Sequence, residues 1–310
     1  MSGCMHACIL VSNEVYVDKS YPYLDGPFGT DWFFVTETGD KSPLHSIVFY
    51  PEQPGDYAMY FFIPGAGGYV EAELYTEYLS RVASHGFIVI GTDLIFPAAT
   101  PPLSPTQAAE YAVKSNQSDK FVSQYRWMET NLQTKLAQKS PGVGIWWNYT
   151  ALGSHSSGGD VARLLLESNH TFAQSAIFLE PVGITFSQPI NFSVPSLMYG
   201  AELSEEHRPR TPPCVIPGFG YQKFYKLWTP TKVMIESKGY GHCDILDQAG
   251  WEVCSTLKIC VTGNNTDLKL YHDFMQGMTS AFLVSTMLGY NDSIAYVIDE
   301  EQGTNNLSAR

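Results

Sequence analysis

Apolar positions recur along this chain with two different periods, and the alternation between them predicts its elements. Short, almost unbroken apolar runs occur at 46–50 (Ser-Ile-Val-Phe-Tyr), 58–63 (Ala-Met-Tyr-Phe-Phe-Ile) and 87–91 (Phe-Ile-Val-Ile-Gly). They are rich in β-branched and aromatic residues with Pro or Gly nearby, as buried strands are. Runs at 149–153, 175–179, 196–199 and 231–235 read the same way. Between them the spacing changes. Leu74, Tyr78, Leu79 and Val82 fall on one helical face, so a helix is expected over 71–85, ended by Gly86. A second amphipathic helix is expected over 120–137, and a third begins near Val161 and runs through Leu166. The first 45 residues, rich in Tyr, Phe and Gly, read as edge strands and turns. Continuous apolar strands alternating with helices describe a mostly parallel sheet covered on both faces, so the fold class is α/β. No repeat period, Gly/Ser tract or charged linker divides residues 1–310, which points to a single domain.

Composition narrows the function classes. Eighteen Lys and Arg against 31 Asp and Glu give a formal charge of −13, which repels a phosphate backbone and argues against a nucleic-acid partner. Hydrophobic residues at 44% supply a sizeable core, and charged residues at 16% are too few for a disordered chain. No apolar run approaches the ~20 residues that a membrane-spanning helix needs. Compartment signals disagree. Asn-x-Ser/Thr sequons begin at Asn116, Asn148, Asn169, Asn191, Asn264, Asn291 and Asn306, seven of the eleven asparagines, and six cysteines suit an oxidising compartment. Against this, residues 1–11 carry no basic side chain and only a short apolar run, a poor signal peptide. The sequon excess favours a secreted glycoprotein, with a cytoplasmic protein as the alternative.

The sharpest chemical motif is Leu152-Gly-Ser-His-Ser-Ser-Gly-Gly159, between an expected strand and an expected helix. That context is the one a Gly-x-Ser-x-Gly nucleophile elbow requires, because the tight turn admits only small flanking residues. Ser156 is the nucleophile in the favourable register, with Gly158 behind it and Ser154 where Gly is usual. A nucleophile at Ser157 would crowd His155, and one at Ser154 would crowd Leu152. A serine hydroxyl needs a base, and the base needs an acid to hold its tautomer. In this fold the order is Ser, acid, His. Among the histidines that follow, His242 lies in the Gly-rich stretch 238–244 just after an expected strand, a fitting place for the base. His272 falls in a helical stretch and His170 inside a sequon, both read as surface positions, and His207 sits in a polar segment. Glu180 directly follows the 175–179 strand, at the carboxyl end of the sheet, and is the expected acid. Asp244 is a rival, but two residues from His242 it reads better as a brace for the loop. The Gly-rich stretch 63–68 supplies an oxyanion donor from Ala66, with Ser157 N–H as the other. The Cys4 to Cys8 cluster offers too few ligands for a metal, and this chemistry requires no cofactor.

These residues resemble the chlorophyllase family, and the likeness runs along most of the chain. Pro64-Gly65 with the stretch Leu79 to Val89 is similar to the family's oxyanion strand, helix and next strand, a part also shared with platelet-activating-factor acetylhydrolases and polyester hydrolases. More specific are Pro212-Pro-Cys214 and Gly241-His-Cys-Asp-Ile-Leu-Asp247, which resemble the family's Pro-Pro-Cys segment and its catalytic-His loop. Cys254 and Cys260, ahead of a helix containing Ala281-Phe-Leu283, are similar to its tail. The resemblance implies an α/β-hydrolase fold, with Ser156 as nucleophile, His242 as base and Glu180-Pro-Val182 in place of the family's Asp-Pro-Val. The family elbow reads Gly-His-Ser-Arg-Gly-Gly, so Ser154 and Ser157 depart from it. Six cysteines allow 15 pairings; Cys254 with Cys260 is the first expectation. The function so implied is a serine ester hydrolase acting on a hydrophobic ester, chlorophyll to chlorophyllide and phytol. A general secreted carboxylesterase or lipase, or a non-catalytic binding protein on this fold, are the alternatives. The aromatics Phe219, Tyr221, Phe224, Tyr225 and Trp228 are expected either to cover a greasy substrate or to lie in the core.

Overall fold

In the computed structural model, which describes residues 22–94, 118–263 and 268–298, eight strands form one sheet in the order β1-β2-β4-β3-β5-β6-β7-β8. The strands are β1 (Thr30–Val35), β2 (His45–Pro51), β3 (Gly55–Ile63), β4 (Phe87–Asp93), β5 (Val143–His155), β6 (Ser175–Leu179), β7 (Ser196–Ala201) and β8 (Lys232–Ser237). β2 runs antiparallel to both β1 and β4, and every other neighbouring pair is parallel. This is the mostly parallel α/β sheet that the periodicity predicts, and it fits the α/β-hydrolase fold that the resemblance implies.

Each face of the sheet buries its own core because side chains alternate along a strand. On β3, Ala58, Tyr60 and Phe62 face the helices Thr76–Ser84 and Leu268–Leu288, together with Trp251 and Cys254. Met59, Phe61 and Ile63 face the opposite way, against the helices Ser118–Lys139 and Gly158–Ser168. Since both faces are covered, the central strands lose polar alternation and read as continuous apolar runs.

Three elements differ from expectation. The 71–85 helix begins as a 3₁₀ turn, Ala72–Tyr75, before the α-helix Thr76–Ser84. β5 begins six residues earlier than the 149–153 run and its parallel register with β3 shifts between Ala58 and Met59. Its first half is partly exposed, with Asn148 and Tyr149 outward, so the hydrophobic pattern hid it. Thr36 caps a short helix, Glu37–Asp40, by accepting from Gly39 N–H within the stretch expected to be strands and turns. The Cys4 to Cys8 cluster and the sequons at Asn116, Asn264 and Asn306 lie outside the described residues.

Among the described residues the disulfides are Cys214–Cys260 and Cys243–Cys254, which corrects the expected Cys254–Cys260 pair. All four sulfurs converge in one place; Cys254 Sγ sits 3.4 Å from Cys260 Sγ without bonding to it. Spacing along the chain carries no information on which neighbour is chosen. Cys243–Cys254 closes a short loop beginning one residue after His242. Replacing both by Ala should therefore cost about 2–3 kcal/mol of stability, a drop in calorimetric midpoint of roughly 3–5 °C. An unchanged midpoint would show that the bridge constrains nothing.

Candidate active site

β5 ends at His155, and the chain must reverse within two residues to begin the helix Gly158–Ser168. It does so by placing Ser156 at φ 54, a left-handed conformation costly for a residue with a Cβ. Two backbone bonds hold the turn: Ser156 N–H donates to Leu179 O (3.0 Å), and Val182 N–H donates to Ser156 O (2.9 Å). A Cβ at Gly158 would come within 2.4 Å of Pro64 O, which is why a glycine stands there. Ser154 fits at the crowded position but leaves its hydroxyl buried with no hydrogen-bond partner among the described residues.

The residues singled out from sequence come together at the carboxyl end of the sheet. Ser156 Oγ lies 2.8 Å from His242 Nε2. His242 Nδ1 lies 3.6 Å from Glu180 Oε2, an ion-pair distance somewhat beyond a hydrogen bond. Glu180 is also held at positive φ, 48, its N–H donating to Tyr199 O at 2.6 Å. Its carboxylate is 1% exposed. Burial pushes its pKa up, while the His242 imidazole and the Ser204 hydroxyl pull the other way.

The Gly-rich stretch after β3 forms a compact turn, Gly65–Gly68, with Ala66 at φ 52 and Gly67 at φ 67. Two consecutive left-handed residues bend the backbone sharply between Pro64 and Gly68, whose N–H donates to Pro64 O. On the opposite side, Ser157 is the N-cap of the Gly158–Ser168 helix, where N–H groups have no intrahelical acceptor. Both expected oxyanion donors are thus in turns flanking Ser156.

Asp244 does not face His242 as an acid would. Its Oδ2 accepts from Gly241 N–H (2.7 Å) and Gly263 N–H (2.6 Å), and its Oδ1 accepts from Trp251 Nε1–H (2.8 Å). Those bonds brace the His242 loop. His272, expected at the surface, is instead 5% exposed and donates through Nε2 to Asp244 O at 2.6 Å. Its helix packs inward there, so the residue supports the same loop from beneath. Of the aromatics before the loop, Tyr221, Phe224 and Trp228 are core residues; Phe224 and Trp228 pack on Phe178 at 4.8 and 4.7 Å.

Sequence reasoning missed three residues. Ser204, in the turn after β7, donates to Glu180 Oε2 at 2.6 Å, yet Glu202-Leu-Ser-Glu205 carries no motif. Tyr75 and His155 are bonded to one another behind the Gly65–Gly68 turn, at 2.7 Å. His155 stood inside the elbow motif, but only as a flank.

The profile of the chlorophyllase family matches residues 22–307. Chlorophyllase-1 of Arabidopsis thaliana is 25% identical over 272 residues, covering 81% of this chain and 78% of the relative. Chlorophyllase-2 of the same plant is 24% identical, over 83% and 82% of the two chains. Chlorophyllase type 0 of Chenopodium album is 26% identical, over 67% and 61%. Fold, elbow and family profile agree: the chain belongs to the chlorophyllase family, and it is a carboxylic ester hydrolase.

Proposed function

We propose that this enzyme hydrolyses a hydrophobic carboxylic ester through an acyl-Ser156 intermediate. The observation that carries the reading is the 2.8 Å contact of Ser156 Oγ with His242 Nε2 at an elbow held in left-handed backbone. His242 Nε2 takes the Oγ proton as Oγ bonds to the ester carbonyl carbon. Electrons move onto the carbonyl oxygen, which the N–H groups of Ala66 and Ser157 bind. Collapse of this intermediate breaks the carbon–alkoxy bond, and His242 returns the proton to the departing alcohol. Water then repeats the sequence on the acyl enzyme. Glu180 balances the charge that His242 acquires, with Ser204 fixing its carboxylate.

By analogy with the named relatives, the substrate is chlorophyll and the products are chlorophyllide and phytol. Ser157 in place of the family's Arg favours a second reading, a broader carboxylesterase or lipase on the same machinery. A fluorophosphonate probe followed by chlorophyll and short p-nitrophenyl esters separates these outcomes. Labelling with chlorophyllide formation supports the first, labelling with simple ester turnover alone supports the second, and an unlabelled protein overturns the serine mechanism.

The sequons lead us to place the enzyme in the secretory pathway. Asn148, Asn169, Asn191 and Asn291 are all exposed. Asn169 Oδ1 accepts from both Thr171 N–H and Thr171 Oγ–H, a local turn that keeps the sequon at the surface. Protein from its native host should lose apparent mass on glycosidase treatment; unaltered mobility would return it to the cytoplasm.

A further inference from the structure

Behind the Gly65–Gly68 turn lies a buried hydrogen-bonded chain that the mechanism above does not use. Gly65 N–H donates to Tyr75 Oη at 3.1 Å, and Tyr75 Oη lies 2.7 Å from His155 Nδ1. Tyr75 is fully buried and His155 is 4% exposed. A phenol has one proton. With an oxygen lone pair taken by Gly65 N–H, the Oη proton goes to Nδ1, so His155 is neutral with its own proton on Nε2, a buried nitrogen with no hydrogen-bond partner among the described residues. Burial and the His242 ring, tilted at 34° with its centroid 4.7 Å away, push the His155 pKa well below its ordinary value, which agrees with that state.

The placement of the chain's two ends gives it a purpose. Gly65 directly precedes Ala66, the donor on one side of the expected oxyanion site. His155 directly precedes Ser156 and lies two residues before Ser157, the donor on the other side. We propose that Tyr75 and His155 are positioning residues that set the spacing between the two oxyanion donors. This rests on the acyl-enzyme reading above. Ala66 and Gly67 are both held at positive φ, so the turn needs outside tethers to keep its shape. Tyr75 Oη ties it to the strand that carries the nucleophile. The fit is close: a Cβ at Gly65 would lie 3.0 Å from His155 Nδ1 and 3.2 Å from Tyr75 Oη. Oxyanion donors act only if they are aimed where the charge develops, so loosening one side costs transition-state binding rather than substrate binding.

Tyr75→Phe tests this, because it keeps the ring packed on Phe62 (5.0 Å) and removes only the hydroxyl. On a short p-nitrophenyl ester, kcat should fall about 10–100-fold with KM within roughly 3-fold. The pH dependence of kcat/KM should keep its midpoints, since His242 and Glu180 are untouched. His155→Asn places an amide oxygen near the Nδ1 position and should retain most of the activity, whereas His155→Leu should match Tyr75→Phe. These two variants decide the matter if Tyr75→Phe does not fold. Wild-type kcat in Tyr75→Phe, equal losses in the Asn and Leu variants, or a loss expressed in KM or in a displaced pH profile would overturn the proposal. Fluorophosphonate labelling of the wild type is run alongside. A labelled, active wild type with an unaffected Tyr75→Phe sinks this inference alone, while an unlabelled wild type sinks the acyl-enzyme reading.

Discussion

Ser156→Ala should lower kcat for ester hydrolysis by about a millionfold, to the residual rate that binding and oxyanion donors supply without a nucleophile. The fold should survive. The elbow is held by Ser156 N–H to Leu179 O and Val182 N–H to Ser156 O, both backbone bonds that alanine retains. The substitution removes one hydroxyl, which is hydrogen-bonded to His242 Nε2. The measurements are steady-state kinetics, fluorophosphonate labelling and a thermal melt on the same preparation. Loss of labelling with an intact melt supports the assignment. Retained turnover would mean that another hydroxyl is the nucleophile, and Ser154 or Ser157 would then need testing despite their poorer registers.

Glu180→Gln should cost about 10³–10⁴-fold in kcat, for a reason separable from folding. Glutamine matches the carboxylate in shape and keeps an oxygen for Ser204 Oγ–H, now at 2.6 Å from Oε2. It loses the negative charge, carried by the Oε2 that faces both Ser204 and His242, which balances His242 when that ring takes the serine proton. The stability effect runs in the other direction. Burial raises the folded-state pKa of Glu180 above its ordinary value, so the folded protein binds this proton more readily than the unfolded chain. Stability from this group is therefore present at low pH and lost as pH rises through the raised folded-state pKa. At neutral pH the uncharged Gln escapes that cost, and its melting temperature should equal or exceed the wild-type value. A silent kinetic phenotype would remove Glu180 from the mechanism. A collapsed melt with little kinetic change would make it a structural acid.

The site was legible in the sequence to the extent that its chemistry constrains the backbone locally. The elbow requires small residues within five positions, and Gly158 could be read as obligatory before its 2.4 Å approach to Pro64 O was known. Glu180 could be placed because it follows an apolar strand directly, and His242 because it sits in a Gly-rich stretch after another. Ser204 could not be placed. It meets Glu180 only because β7 lies beside β6, 24 residues away in sequence. His272 was misread for a related reason. A helix buried on much of its surface, as Leu268–Leu288 is, hides polar residues that look exposed in the sequence pattern.

The disulfides mark the same boundary. Six cysteines said that bridges were available. Four sulfurs meeting in one cluster made Cys214–Cys260 and Cys243–Cys254 the pairs, over a Cys254–Cys260 alternative closer in sequence than either.

By itself, then, the sequence determined the α/β alternation, the strands of a sheet buried on both faces, the tight turn at Ser156 and the choice of Ser156, Glu180 and His242 as the proposed triad. Each follows from periodicity or from residues adjacent in the chain, where backbone sterics act directly. Only the tertiary structure decided which groups support them: Ser204 behind Glu180, Asp244 and His272 beneath the His242 loop, and Tyr75 with His155 between the two oxyanion turns. Those contacts join residues 24 to 80 positions apart, or place one short loop on another. Hydrogen bonds over such separations depend on how strands and helices are stacked, a three-dimensional arrangement to which no local pattern of side chains corresponds.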